Sequence, residues 1–144
     1  MHKILVAFDG SEGAKRALQY VIDFSEESKR PLDVHILNVQ QEPILFGEDY
    51  LTPNMVDELT KSLLSKSTEL LKSAGSKLDT AGIGYQLHSA VGNVAEKVNE
   101  MVKKLGCDTV VMGTRGLGSF SGLLLGSVAT RVIHEVPVPV VLVK

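Results

Sequence analysis

Five short apolar runs alternate with four stretches whose apolar residues recur at helical spacing, and that alternation limits the fold more than any other feature of the chain. Ile4-Leu5-Val6-Ala7-Phe8 is unbroken by polar residues and ends at Asp9-Gly10, as a strand buried on both faces does. Val34-His35-Ile36-Leu37-Asn38-Val39 reads as a second strand, and the apolar run Thr109 to Met112 as a fourth. Tyr85 to Val91 alternates, which suits a partly exposed edge strand, and Val136 to Val143 closes the series as a fifth strand. Between them, Ala14, Ala17, Leu18, Val21, Ile22 and Phe24 mark a first helix, with Ser11 as its cap and Glu12 in its first turn. Met55, Leu59, Leu63, Leu70, Leu71, Ala74 and Leu78 predict a long second helix with a leucine-lined core face, capped by Thr52 or Asn54. Asn93 with Glu96 opens a third, which stops at Gly106. Val128, Ala129, Val132 and Ile133 mark the fourth.

Strands alternating with helices imply a parallel sheet with helices on both faces and right-handed crossovers. Such a sheet leaves a crevice at the carboxyl ends of its strands, where the winding reverses. Asp9 and Gly113, each ending a strand, flank that crevice. The chain of 144 residues suits a single domain, 1–144, large enough for its own core. A formal net charge of -2 with no basic tail argues against nucleic acid as a partner. No apolar run approaches membrane-spanning length, and Met1-His2-Lys3-Ile4 enters a strand rather than a signal peptide, so a cytoplasmic protein without membrane association is expected. One cysteine, Cys107, allows no intrachain disulfide and reads as a packed thiol. His35 and His88 read as packed or edge residues, His2 and His134 as peripheral, and no spacing suggests zinc.

The richest chemistry lies in Gly113-Thr114-Arg115-Gly116-Leu117-Gly118-Ser119-Phe120-Ser121-Gly122, closed by Gly126-Ser127. Glycines this dense bare main-chain N–H groups, and a strand-to-helix passage is a place to hold phosphate. Arg115 and the hydroxyls of Ser119, Ser121 and Ser127 add donors. No Gly-Lys-Ser/Thr triplet exists, which excludes a P-loop, and Asp9-Gly10-Ser11-Glu12-Gly13 is not a dinucleotide fingerprint. A phosphoacceptor receiver domain needs an aspartate where Ala90 and Val91 stand. Taken alone, Asp9 also suits a turn, the glycine cluster a loop without ligand, and Arg115 a solvated charge.

Gly113-x2-Gly116-x9-Gly126-Ser127 resembles the glycine pattern of the ATP-binding branch of the universal stress protein family. The resemblance extends to the opening Ile-Leu-Val-Ala-Phe-Asp-Gly-Ser, the Gly92-Asn93 turn, Asp108 to Arg115 and the Val-Pro-Val-Pro-Val-Val ending. It implies a Rossmann-like (adenine nucleotide alpha hydrolase-like) three-layer α/β/α sandwich with a five-stranded parallel sheet of order 3-2-1-4-5. It also implies ATP with Mg²⁺ as the ligand. Ala7 and Val39 would bracket the adenine, and Asp9 would sit near the ribose and a phosphate-bound metal. Met112 and Gly113 would lie beneath ribose and phosphates, with Arg115 and Gly116 presenting N–H groups. Gly126, Ser127 and Val128 would close on the terminal phosphates. Relatives often hold proline at the position of Ala7.

The function implied is a nucleotide-dependent switch or signal in stress response, with at most slow ATP hydrolysis. Two alternatives stand beside it: a true ATPase or adenylyl-transfer enzyme, and a nucleotide-free dimeric interaction module. No general base is evident, since a lone carboxylate is thin provision for catalysis. The apolar last strand, interrupted by Pro139, suits a sheet edge, and the resemblance implies a homodimer formed through it. The Gln40 to Asn54 connection, with Ile44, Leu45, Phe46 and Tyr50, reads as a lid over the adenine. Bulky replacement of Gly113 or Gly126 is expected to abolish ATP binding with the fold intact.

Overall fold

The computed structural model describes residues 1–41, 51–117 and 125–144. Its elements follow in the order β1 (Lys3–Ala7), α1 (Glu12–Glu27), β2 (Asp33–Gln40), α2 (Pro53–Thr80), β3 (Tyr85–Val91), α3 (Val94–Leu105), β4 (Thr109–Gly113), α4 (Ser127–Glu135) and β5 (Val140–Val143). The strands form one parallel sheet in the order β3-β2-β1-β4-β5. The doubly wound expectation therefore holds, with β1 central and paired to both β2 and β4.

Each face of the sheet carries its own core. Ile4, Val6 and Phe8 of the β1 segment pack with Val34 and Ile36 against α1 and α2. Leu5, Leu37, Val110 and Met112 point the other way, against Val98 and Val102 of α3 and Ala129 and Val132 of α4. Alternation along a strand, applied to runs with no polar break, produces this two-sided burial. Ser11, Thr52 and Asn93 each accept a main-chain N–H of the helix they precede, from Ala14, Met55 and Glu96 at 3.1, 3.2 and 3.1 Å. Such caps are worth about 1 kcal/mol apiece. Thr52, not Asn54, caps α2. Gly106 ends α3 in the left-handed region, at φ 69°, which a side chain would disfavour.

Two expectations need correction. The fifth strand is only Val140–Val143, because Pro137 and Pro139 lack the N–H a ladder requires; Pro139 still accepts from the Val110 N–H at 3.0 Å. The leucine face of α2 is core only in its second half. Ser67, Leu71, Ala74, Gly75 and Leu78 are buried, whereas Met55, Val56 and Leu64 are exposed. A helix of 28 residues is about 42 Å long, against about 23 Å for a seven-residue strand, so α2 runs past the sheet it packs on.

Cys107 is buried, and burial raises its thiol pKa, with Lys3 opposing and Asp33 and Asp108 adding to the rise. His35 and His88 meet across β2 and β3, Nδ1 to Nε2 at 2.9 Å with the rings stacked. Asp33 Oδ1 lies 3.1 Å from His35 Nε2 but is not aligned as a hydrogen bond. Burial, then His35 and Lys104, lowers the His88 pKa below its ordinary 6.5. The unfolded chain therefore takes up this proton first as pH falls. Stability present above pH 6.5 is lost as the pH drops through the folded-state value. Urea titrations between pH 7.5 and 5 should show this decline, and His88→Gln should reduce it. Identical profiles for the two proteins would remove His88 as a source.

Candidate functional site

The carboxyl ends of β1 and β4 sit side by side at the point where the chain changes direction across the sheet. The crossover after β1 goes to the α1–α2 face, and the passage after β4 leads to α4 on the other. Connections that leave adjacent strand ends for opposite faces open a crevice there, and ligands of open α/β sheets collect in it.

Asp9 leaves β1 directly into this gap. Its Oδ1 accepts the Ser11 N–H at 2.9 Å, at the amino end of α1, where the helix dipole favours a negative charge. Its Oδ2 accepts the Leu117 N–H at 3.3 Å, from the glycine-rich passage 108 residues further on. A Cβ on Gly116 would stand 2.6 Å from that same oxygen. The passage therefore reaches Asp9 because residue 116 has no side chain. The structure thus brings together Asp9 and Gly116, which the sequence places far apart.

Gly113 and Gly13 hold the passage down in another way. A Cβ on Gly113 would meet the carbonyl carbon of Gly13 at 2.8 Å, and a Cβ on Gly13 would meet the Arg115 oxygen at 2.8 Å. The first turn of α1 and the end of β4 thus touch backbone to backbone. Gly13 was not among the sequence candidates. Its signal was present as a glycine in the first turn of a helix, a costly place for one unless something must approach closely. The contact also overturns the expectation that a bulky residue at 113 leaves the fold intact, because both contacting groups are main chain.

Ala7 and Val39 end β1 and come near the end of β2, and both are half-buried on the α3–α4 face. Met112 is buried in the same face, beneath Gly113. Arg115, Gly116 and Ser127 are exposed, and Val128 is half-buried. The Gly126 N–H donates to the Thr114 carbonyl at 2.7 Å, and the Thr114 N–H donates to Val143 at 3.0 Å. Gly126 thereby ties the start of α4 to β4 and β5. Among the described residues no side chain caps α4, unlike the other three helices. Ser127 and Val128 stand at its first two positions, where helical N–H groups lack intrahelical acceptors. Gly118, Ser119, Ser121, Gly122 and most of the expected lid, 42–50, lie outside the described residues.

Sequence reasoning also missed Asn38. It is 1 % exposed, and its Nδ2 donates to the Phe8 carbonyl at 2.7 Å. Gln40 Nε2 donates in turn to Asn38 Oδ1 at 2.8 Å. A polar residue inside an otherwise apolar strand was the available signal.

The family model for the universal stress protein family matches residues 1–144. The chain belongs to that family. A Thermus aquaticus universal stress protein, described by its position in the QAH/OAS sulfhydrylase 3' region, is 34 % identical over 145 residues, covering 98 % of this chain and 97 % of the relative. The solved structure of MJ0577 from Methanocaldococcus jannaschii superposes with a TM-score of 0.86 at 28 % identity, covering 99 % of this chain and 95 % of that one. A universal stress protein family protein from Arabidopsis thaliana, solved with AMP bound, shares the fold at a TM-score of 0.68 and 20 % identity, over 100 % of this chain and 92 % of that one. Among the described residues no helix is long and apolar enough to cross a membrane.

An overpacked backbone crossing typically costs 1–3 kcal/mol. Gly113→Ala should therefore lower the unfolding free energy by about 2 kcal/mol, measured by urea titration. Wild-type stability in that variant would show that the crossing has slack.

Proposed function

We propose that this universal stress protein binds an adenine nucleotide, ATP with Mg²⁺, across the carboxyl ends of β1, β2 and β4. Nucleotide occupancy would act as a switch or signal in stress response, with slow hydrolysis at most. The observation that carries this reading is the meeting of Asp9 with the Gly116-Leu117 backbone, close to the strand end to which Gly126 ties the start of α4. The site offers main-chain donors and a helix amino end to an anion, within a cradle that a single Cβ would fill. The AMP-bound Arabidopsis relative supports adenylate as the ligand class.

The parts divide by chemistry. Ala7 and Val39 offer a half-buried apolar surface for a base. Met112 and Gly113 floor the ribose and phosphates, and Arg115, Gly116, Ser127 and Val128 surround the phosphates. Gly126, whose own N–H is engaged by Thr114, fixes the start of α4 rather than donating to phosphate. Asp9 suits Mg²⁺ held together with phosphate oxygens, because each of its oxygens keeps a lone pair beyond its main-chain bond. Among the described residues no group of three His, Cys, Asp or Glu side chains gathers to hold a metal unaided, so the ion would arrive with the nucleotide. Mg²⁺ would neutralise phosphate charge there. With both oxygens of Asp9 already engaged, the carboxylate is better placed to position than to take a proton from water, which favours binding over turnover.

Among the described residues β5 pairs only with β4, and its four residues are half-buried. We infer that a second copy pairs along this edge to form a homodimer in the cytoplasm. Sedimentation should give twice the chain mass, and Leu142→Lys should shift it toward the monomer. A monomeric wild type at tens of micromolar would exclude this assembly.

Calorimetry with Mg²⁺ and ATP should give saturable binding. Gly116→Val should weaken it at least tenfold, about 1.4 kcal/mol, with little change in thermal stability because residue 116 is exposed. Wild-type affinity in that variant, or no saturation of the wild type with ATP, ADP or AMP, would overturn the assignment.

A further inference from the structure

We infer that Asn38 is a positioning residue for this nucleotide site, acting through Asp9; the inference rests on the adenylate-binding reading above. The geometry begins where the β1–β2 ladder ends. The Phe8 N–H still donates to the Leu37 carbonyl at 2.9 Å, in continuation of the register that pairs Ala7 with Leu37. That register would next offer the Phe8 carbonyl to the Val39 N–H. The bond it makes instead is with the side-chain amide of Asn38, at 2.7 Å. A side chain thus replaces the main-chain donor at the last rung.

Three consequences follow for the residue after Phe8. Both main-chain polar groups of Phe8 are tied to β2, so the peptide that leads into Asp9 has a fixed plane. β1 ends there, and Asp9 turns out of the sheet toward Ser11 and Leu117. The Asn38 amide cannot rotate away, because Gln40 Nε2 holds its oxygen at 2.8 Å and the side chain is almost wholly buried. A continuous polar chain therefore runs from Gln40 through Asn38 and Phe8 to Asp9, and on to the Leu117 N–H. Asn38 touches neither the expected phosphates nor the base; it sets where the carboxylate stands.

Asn38 could instead serve only to satisfy buried polar groups, and the two roles separate in a double-mutant cycle. Asn38→Leu keeps similar bulk and removes the donor. With Mg²⁺ and ATP in calorimetry, Asn38→Leu should weaken affinity fivefold or more, and Asp9→Ala at least as much. The double variant should bind no more weakly than Asp9→Ala alone. Losses that multiply in the double variant, or unchanged affinity in Asn38→Leu, would overturn the inference while leaving the binding reading intact. A wild type that takes up no adenylate overturns the binding reading first. A second readout needs no nucleotide: Asn38→Leu should shift the amide resonances of Ser11 and Leu117, which Asp9 accepts. If Asn38→Leu does not fold, Gln40→Leu, which frees the Asn38 oxygen, should move the same two resonances and weaken ATP in the same direction. Unmoved resonances in the folded variant count against the positioning role.

Discussion

Two main chains in contact without a Cβ between them set the geometry of the strand ends. Where Gly13 meets Gly113, the first turn of α1 lies against the last residue of β4. A side chain at either position would push helix and strand apart, and the Thr114–Leu117 segment would lift with β4. Asp9 would then lose its reach to Leu117. The polar arrangement at the switch point thus depends on an apolar, steric condition met several residues away from it.

That dependence explains why glycine plays unequal parts along one short stretch. Gly113 is a packing residue, buried and pressed on another backbone. Gly116 is an access residue, exposed and abutting a carboxylate. Gly126 is a tether, its N–H fixed to Thr114. Written as letters the three are identical, and only the neighbours in space distinguish them.

Much of the fold was legible because it rests on local rules. Apolar runs placed β1 and β4, a mostly apolar one placed β2, and Ser11, Asn93 and Gly106 marked helix ends by hydrogen bonding and backbone preference. Reading failed where the deciding fact was global. Nothing in the period of α2 says that the sheet beneath it ends halfway, so Met55 looked like Leu71. The prolines beside β5 were visible, but their effect on its length depended on which N–H groups β4 needed. At the candidate site, Asp9 and the glycine pattern stood out from the strand ends and from the family resemblance alike. Gly13 and Asn38 were not, since each acts on a partner 25 or more residues away whose approach no spacing reveals.

Cys107 carries a consequence of a different kind. Peroxide and electrophiles attack the thiolate of an accessible cysteine, and this sulfur is both shut behind packed side chains and biased toward its protonated state. Oxidants in the surrounding medium thus find no ready sulfenic acid chemistry on the native chain.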